Sequence, residues 1–154
     1  MEAGTSRIAI TEPAQLMQMS QAELDSLFEA SPAGPIPDGQ ATGTAIIAPG
    51  TVFSPEIAKV VSLFVWEGKT FDGKRGVLTN RLLHYGLNAI VAEVYTDASW
   101  LDGNECIVLD YSKTSLAAHW IRDEIRLIGP NFYLGVVYWG QKKLIDFCLE
   151  FGQA

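Results

Sequence analysis

Charged side chains that could bind or transform a small molecule are concentrated in one stretch, residues 105–140. Arg122, Glu124 and Arg126 alternate along it, and alternate residues of a β-strand project from the same face. On such a face an arginine can hold an anionic or carbonyl group, and a carboxylate can move a proton. Asp110, earlier in the same stretch, is a second carboxylate suited to that role.

The same pattern has a simpler interpretation. A solvated outer surface carries cross-strand ion pairs, each contributing about 0 to 1 kcal/mol. The sequence does not decide which face of residues 118–127 lines a cavity. Asp123 lies on the opposite face among apolar neighbours, where a buried carboxylate needs a partner or a raised pKa.

Aromatic and cationic residues together make the candidate ligand site, because small-molecule pockets combine apolar walls with a few polar groups. The candidate ligand residues are Trp66, Tyr111, Trp120, Arg122, Arg126 and Tyr133. If the protein is an enzyme, Asp110 and Glu124 are the candidate catalytic residues, with Arg122 or Tyr111 stabilising developing negative charge. The spacing does not assign a nucleophile, a base and an orienting group together, so whether the protein is an enzyme stays open.

Two alternating runs flank residues 112–116, and this arrangement predicts a hairpin. One register places Glu105 opposite Glu124, where two like charges oppose pairing. Shifting the pairing by one residue moves every side chain to the other face and places Asp110 opposite Trp120. We favour this second register because it separates an apolar face from a polar face.

Two helical regions are predicted to accompany the strands. Residues 1–30 form an N-terminal helical segment, in which Ser20 and Glu23 have the spacing of a capping box. Residues 54–66 form a helix that begins with a cap and a first-turn proline. Between them, residues 31–39 are rich in proline and glycine and are typical of a loop.

The remaining chain, residues 38–151, contains about eight short strands with short connections. This pattern predicts a mainly β fold, an eight-stranded antiparallel up-and-down barrel with added helices. The alternative is an α+β cone, in which the N-terminal helices pack on a curved antiparallel sheet. A barrel of eight strands has room for side chains or one small ligand.

Composition limits the classes of protein that fit. The chain has 154 residues and a net charge of -7, which suit a single domain over residues 1–154 and argue against a nucleic-acid partner. No run reaches the about 20 apolar residues of a membrane span, and we expect a cytoplasmic protein. Neither Cys106 nor Cys148 belongs to a metal motif, and we expect no metal and no cofactor. Their redox state and the oligomeric state stay open.

Several short motifs carry a resemblance. The set PDG, WxGK, LDYSxTS, IRDEIR and YLG is similar to a family of small uncharacterised bacterial proteins, and the strand layout resembles that of lipocalins and other calycins. Lipocalins have a G-x-W motif in the first strand, whereas here Trp66 precedes Gly68 and follows a predicted helix. The resemblance implies a pocket for an apolar or amphipathic small molecule.

The sequence therefore supports two functions. In the first, the barrel interior binds a small apolar or amphipathic ligand, whose polar head is held by an arginine. In the second, a cofactor-independent isomerase, cyclase or hydrolase uses a pocket carboxylate as acid and base. The ligand or substrate itself is not identified by any motif.

Overall fold

The computed structural model describes residues 10–51, 54–58, 69–82, 87–112 and 121–152. Eight antiparallel strands close into a barrel, in which each strand pairs with the next and the last pairs with the first. The strands are β1 Gly39–Ile46, β2 Lys69–Asp72, β3 Val77–Leu82, β4 Leu87–Ala98, β5 Glu105–Asp110, β6 Ile121–Gly129, β7 Phe132–Trp139 and β8 Lys142–Phe151. The predicted eight-stranded antiparallel barrel is confirmed, and the closure excludes the open cone.

The barrel interior is apolar because alternate residues of every strand face it. Each of the eight strands contributes to this cluster, for example through Ala41, Phe71, Leu78, Ala92, Ile107, Ile125, Val137 and Leu149. The rings of Tyr133 and Phe71 each meet Phe151 edge to face. Phe147 lies directly over Gly135, where a Cβ atom would overlap its ring. Around Gly135 and Phe147, the barrel interior is therefore filled by closely packed side chains.

The opposite faces of β1, β5, β7 and β8 form a second apolar cluster outside the barrel wall. Two short helices, α1 Pro13–Met17 and α2 Gln21–Ala30, cover it. Leu24 and Phe28 of α2 are fully buried there, so one face of the predicted N-terminal helix packs on the barrel. Cys106 and Cys148 belong to this outer cluster and are both free thiols.

Helix starts follow the local sequence signals. The predicted capping box at α2 is present, because Glu23 N–H donates to Ser20 Oγ at 3.1 Å and Ser20 N–H donates to Glu23 Oε1 at 2.9 Å. Residues 55–58 are helical, and Ser54 Oγ caps them by accepting from Ile57 N–H at 3.1 Å. Ile57 belongs to the interior cluster. The rest of the predicted helix 54–66 lies outside the described residues.

The register between β5 and β6 differs from the prediction. Asp110 pairs with Arg122, and Leu109 pairs with Asp123, so the prediction that Asp110 faces Trp120 is wrong by two residues. A shift of two residues equals one full period of a strand. Each side chain therefore lies on the face that was predicted for it, although its cross-strand partner differs.

Candidate functional site

The two faces of β6 have separate environments. Ile121, Asp123 and Ile125 are buried on the interior face, beside the interior cluster. Arg122 and Arg126 project from the outer face, toward the turn that joins β4 to β5. The candidate arginines therefore do not line the barrel interior, and any site that they form lies on the outside of the wall.

Arg126 is a structural connector with no donor left for a ligand. Its Nε donates to the carbonyl of Glu105 at 3.1 Å, and its Nη1 donates to the carbonyl of Phe28 at 2.9 Å. Both terminal nitrogens donate to Asp102 at 2.7 Å, and Nη2 also reaches the carbonyl of Asn104 at 3.0 Å. These contacts use all five N–H groups of a guanidinium. They join α2, the β4–β5 turn and β6.

The electrostatics at Arg126 confirm a tight pair. Hydrogen bonds from Arg126 hold the pKa of the Asp102 carboxyl at about 2, below its ordinary value of 3.8. The side chain of Arg126 is only 1% exposed, and its guanidinium lies 4.5 Å from the ring centre of Phe28. A ligand would have to displace protein groups to reach this arginine.

Glu124 is also fully engaged, although it was a candidate catalytic carboxylate. Its Oε1 accepts from the hydroxyl of Ser99 at 2.6 Å, and its Oε2 accepts from the backbone N–H of Trp100 at 2.8 Å. Oε2 also accepts from Nε of Arg122 at 3.0 Å, and the side chain is fully buried. Glu124 therefore anchors the β4–β5 turn and orients Arg122, while its own oxygens are shielded from a substrate.

Arg122 is the candidate residue that remains accessible. Its side chain is 14% exposed, its Nη2 donates to the carbonyl of Ala98 at 3.0 Å, and its guanidinium stacks 4.3 Å from the ring centre of Trp100. It lines an open groove of about 360 Å³, the Arg122 groove, whose other walls include Trp100, Asp110, Ser112, Ile121 and Gln141. Trp100 is 50% exposed beside it. A cation and an exposed aromatic ring therefore share one groove.

Asp110 supplies the carboxylate of the Arg122 groove. The hydroxyl of Tyr95 donates to Asp110 Oδ2 at 2.7 Å, and the backbone N–H of Ser112 donates to Oδ1 at 2.9 Å. Burial, followed by this hydrogen bond, raises the pKa of Tyr95 to about 12. Tyr95 therefore stays protonated at neutral pH and donates its hydroxyl hydrogen to Asp110.

A second groove of about 370 Å³ lies beside the first. Trp100, Tyr138 and Gln141 line this Tyr138 groove. The rings of Trp100 and Tyr138 are 5.1 Å apart with planes inclined at 67°. Trp100 and Gln141 line both grooves, so the two grooves are neighbours across one indole ring.

The barrel interior contains its own polar residues. Tyr111 donates its hydroxyl to Asp123 Oδ2 at 3.0 Å, and burial followed by the charge of Asp123 raises the pKa of Tyr111 well above its ordinary value. Tyr133 donates to the carbonyl of Pro35 at 2.7 Å, and burial raises the pKa of Tyr133 as well. Both tyrosines are candidate ligand residues from the sequence, and both hydroxyls are engaged by protein acceptors here.

The structure thus places Asp110 and Arg122 in one groove, with the buried candidate Glu124 bonded to Arg122, whereas the side chains of Tyr111, Arg126 and Tyr133 are engaged by other protein groups. Trp66 and Trp120 lie outside the described residues. Sequence reasoning missed Tyr95 and Trp100, which lie at the end of β4 and in the turn after it. The available signal was a tryptophan just before the turn sequence Asp102-Gly103, because tryptophan is enriched at binding interfaces.

Two other features, a metal site and a membrane-spanning helix, are not found among the described residues. Within the described ranges, no group of three or more His, Cys, Asp and Glu side chains is placed to hold a metal ion. In the same part of the chain, no helix combines the length and apolar character that crossing a bilayer requires. The Arg122 groove combines open space, a cation and a carboxylate.

Comparison with known proteins identifies the fold and leaves the site to be argued from its geometry. No family model and no curated protein matches the chain. A crystal structure of a protein from Thermomonospora curvata is similar, with a TM-score of 0.61 and 18% sequence identity over 91% of this chain and 93% of that chain. At this identity the similarity supports the barrel fold alone.

Proposed function

We propose that the protein binds a small amphipathic molecule whose anionic or carbonyl head is held by Arg122. The observation that carries this proposal is the Arg122 groove, where an accessible guanidinium stacks on a half-exposed indole. The sequence suggested a ligand inside the barrel, and the position of Arg122 moves the proposed site to the outer groove. The volume of about 360 Å³ lies within the usual range for small-molecule sites, about 300 to 1,000 Å³.

The hydrogen bonds of Arg122 leave room for a ligand. Nε and Nη2 hold Glu124 and the carbonyl of Ala98, while Nη1 donates no hydrogen bond to the described residues. A head group with an acceptor oxygen can take the two N–H groups of Nη1. Because Glu124 partly balances the charge of Arg122, the head group is bound by directed hydrogen bonds more than by net attraction.

Preorganisation favours binding at this position. Glu124 holds the guanidinium and also the backbone of Trp100, so the cation and the aromatic wall are fixed by one buried carboxylate. A site that is ordered before binding loses less conformational entropy when the ligand arrives. The apolar part of the ligand then rests on the exposed surface of Trp100.

The test is calorimetric titration with two sulfonates, octanesulfonate and 2-naphthalenesulfonate, and with their neutral counterparts octanol and 2-naphthol. Sulfonates stay ionised at any working pH, so the head group is constant. We expect Arg122→Gln to weaken binding of the sulfonates by about tenfold, the loss of one charge-assisted hydrogen bond, with little effect on the neutral compounds. Arg75→Gln, which changes an exposed arginine of the β2–β3 turn, is the matched control. Equal losses in the two variants, or no binding by the wild type, would refute the proposal.

A second function is favoured by one observation, the short hydrogen bond between Tyr95 and Asp110 at the edge of the groove. Asp110 can serve there as acid or base in a hydrolase, isomerase or cyclase. Hydrolysis of 2-naphthyl acetate, followed by the fluorescence of 2-naphthol, tests the hydrolase case. The enzyme proposal expects Asp110→Asn to abolish turnover without weakening 2-naphthalenesulfonate binding, since a carboxylate in the groove can only repel the sulfonate. It fails if the variant hydrolyses the ester as fast as the wild type.

A further inference from the structure

We infer that the apolar part of the ligand is a planar aromatic ring that occupies the Tyr138 groove, so that the ligand is an aryl acid. This inference rests on the proposed function, since it assigns the second half of a molecule whose head group is at Arg122. The Tyr138 groove, with a volume of about 370 Å³, adjoins the Arg122 groove along Trp100 and Gln141. One ligand can therefore contact both.

The first argument is the arrangement of the two rings. Trp100 and Tyr138 meet edge to face at 5.1 Å with their planes inclined at 67°, so the half-exposed indole forms the broad wall of a corner that the largely buried ring of Tyr138 closes. A planar ring laid against one wall presents its edge to the other. Offset stacking and edge-to-face contact are the two geometries that aromatic rings prefer. An alkyl chain gains only the burial of its surface in this corner.

The second argument is entropy. Both grooves are open to solvent along the exposed indole, and Trp100 is 50% exposed. A flexible chain laid in an open groove loses rotational freedom while part of its surface stays in water. A rigid ring covers the same wall without that loss. The shape of the site therefore favours a flat and rigid ligand.

The third argument is spacing. Arg122 lies 4.3 Å from the ring centre of Trp100, and Tyr138 lies 5.1 Å from it. Arg122 and Tyr138 thus contact the same indole, so the head-group site and the ring site adjoin. A carboxylate or sulfonate attached directly to a ring, or through a short spacer, spans this distance, whereas a long acyl chain would extend beyond both grooves. The ligand class is an aryl carboxylate or a similar aromatic anion.

The experiment compares 2-naphthalenesulfonate with octanesulfonate, two probes with the same head group, by titration calorimetry. On the wild type, we expect the aromatic probe to bind about five- to tenfold more tightly, as expected for one or two favourable ring contacts. Tyr138→Phe keeps the ring and should keep this preference. Tyr138→Leu should bring the two affinities to within about twofold of each other.

Trp100→Leu is the second variant, because Tyr138 is buried and its replacement by leucine could prevent folding. Trp100 is half exposed, so its replacement leaves the core intact and should also remove the preference for the aromatic probe. Equal affinities on the wild type, or a preference unchanged in both leucine variants, would overturn the inference. If Arg122→Gln weakens both probes and no ring preference exists, this inference fails and the proposed function stands. If neither probe binds to the wild type, both fail.

Discussion

The outer face of β6 carries two arginines in different situations. Arg126 lies under α2 with 1% of its side chain exposed and every donor used. Arg122, four residues or two pleat repeats away along the same face, is 14% exposed and stacks on a half-exposed Trp100. The two residues have the same chemistry and lie on the same face of β6, and they differ in what covers them.

This difference shows that the helix decides which arginine is structural. The carbonyl of Phe28, at the end of α2, reaches Arg126 at 2.9 Å, while Arg122 lies toward the β7–β8 turn at Gly140 and Gln141. A buried guanidinium must satisfy all its donors, so the covered arginine has become a connector. In the uncovered one, Nη1 donates no hydrogen bond to the described residues.

The largest expected effect is the loss of Arg126. Arg126→Met should lower the free energy of unfolding by about 3 to 5 kcal/mol, because Asp102 and three backbone carbonyls lose their donor in a buried place. Urea denaturation measures the change. Arg75→Met, at an exposed position, should change stability by at most about 0.5 kcal/mol. If Arg126→Met lowered the free energy of unfolding by less than about 1 kcal/mol, Arg126 would not be a structural connector.

The next largest effect is the pH dependence of the stability that the ion pair between Asp102 and Arg126 contributes. The pKa of Asp102 in the folded protein, about 2, lies below the ordinary value of 3.8, so its ionised form stabilises the fold above about pH 4 and this contribution is lost as the pH falls toward 2. Since one pKa unit corresponds to about 1.4 kcal/mol, Asp102→Asn should cost about 2 kcal/mol at pH 7 and close to nothing at pH 2. Urea denaturation at both pH values measures it.

Asp102→Ala controls for the asparagine amide, because loss of the charge alone should give the same pH dependence. A difference between wild type and variant that stays constant from pH 7 to pH 2 would contradict the assignment of the pKa to the Arg126 pair.

The smallest expected effect on stability comes from replacing Arg122, the arginine that α2 does not cover. Arg122→Gln should lower the free energy of unfolding by about 1 kcal/mol, since Glu124 keeps its hydrogen bonds from Ser99 and Trp100 and the lost pair is partly exposed. Thermal and urea unfolding measure the change. If Arg122→Gln proved as destabilising as Arg126→Met, the contrast between the two ends of β6 would disappear.

The sequence predicted the strands better than their pairing. About eight strands were predicted and eight are observed, because apolar and alternating runs such as those of β7 and β8 are direct signals of strands. The β5–β6 register was wrong because register follows turn geometry, and residues 112–116 contain no glycine, proline or asparagine to identify a turn type. The period-two alternation of apolar and polar residues still predicted which face of β5 and β6 each side chain occupies.

The candidate site was predicted only in part. Arg122 was named because charged residues alternate in its strand, and Asp110 because it is a second carboxylate in the same stretch; the structure places both in one groove. The structural role of Arg126 could not be predicted from the sequence, because one of its acceptors, the carbonyl of Phe28, lies 98 residues away in the chain. The contribution of Trp100 depends on a turn held by Glu124, a contact that no local pattern encodes.

The closure of the barrel also has a consequence for how the chain folds. Ala41 of β1 pairs with Phe151 of β8, so β1 lacks one neighbour until the last strand has been synthesised. Loop closure over such a separation is entropically costly and slows folding. In the meantime β1 presents an unpaired strand edge, the feature that promotes association between unfinished chains. We therefore expect chains truncated before β8 to aggregate, and the joining of β1 to β8 to come late in folding.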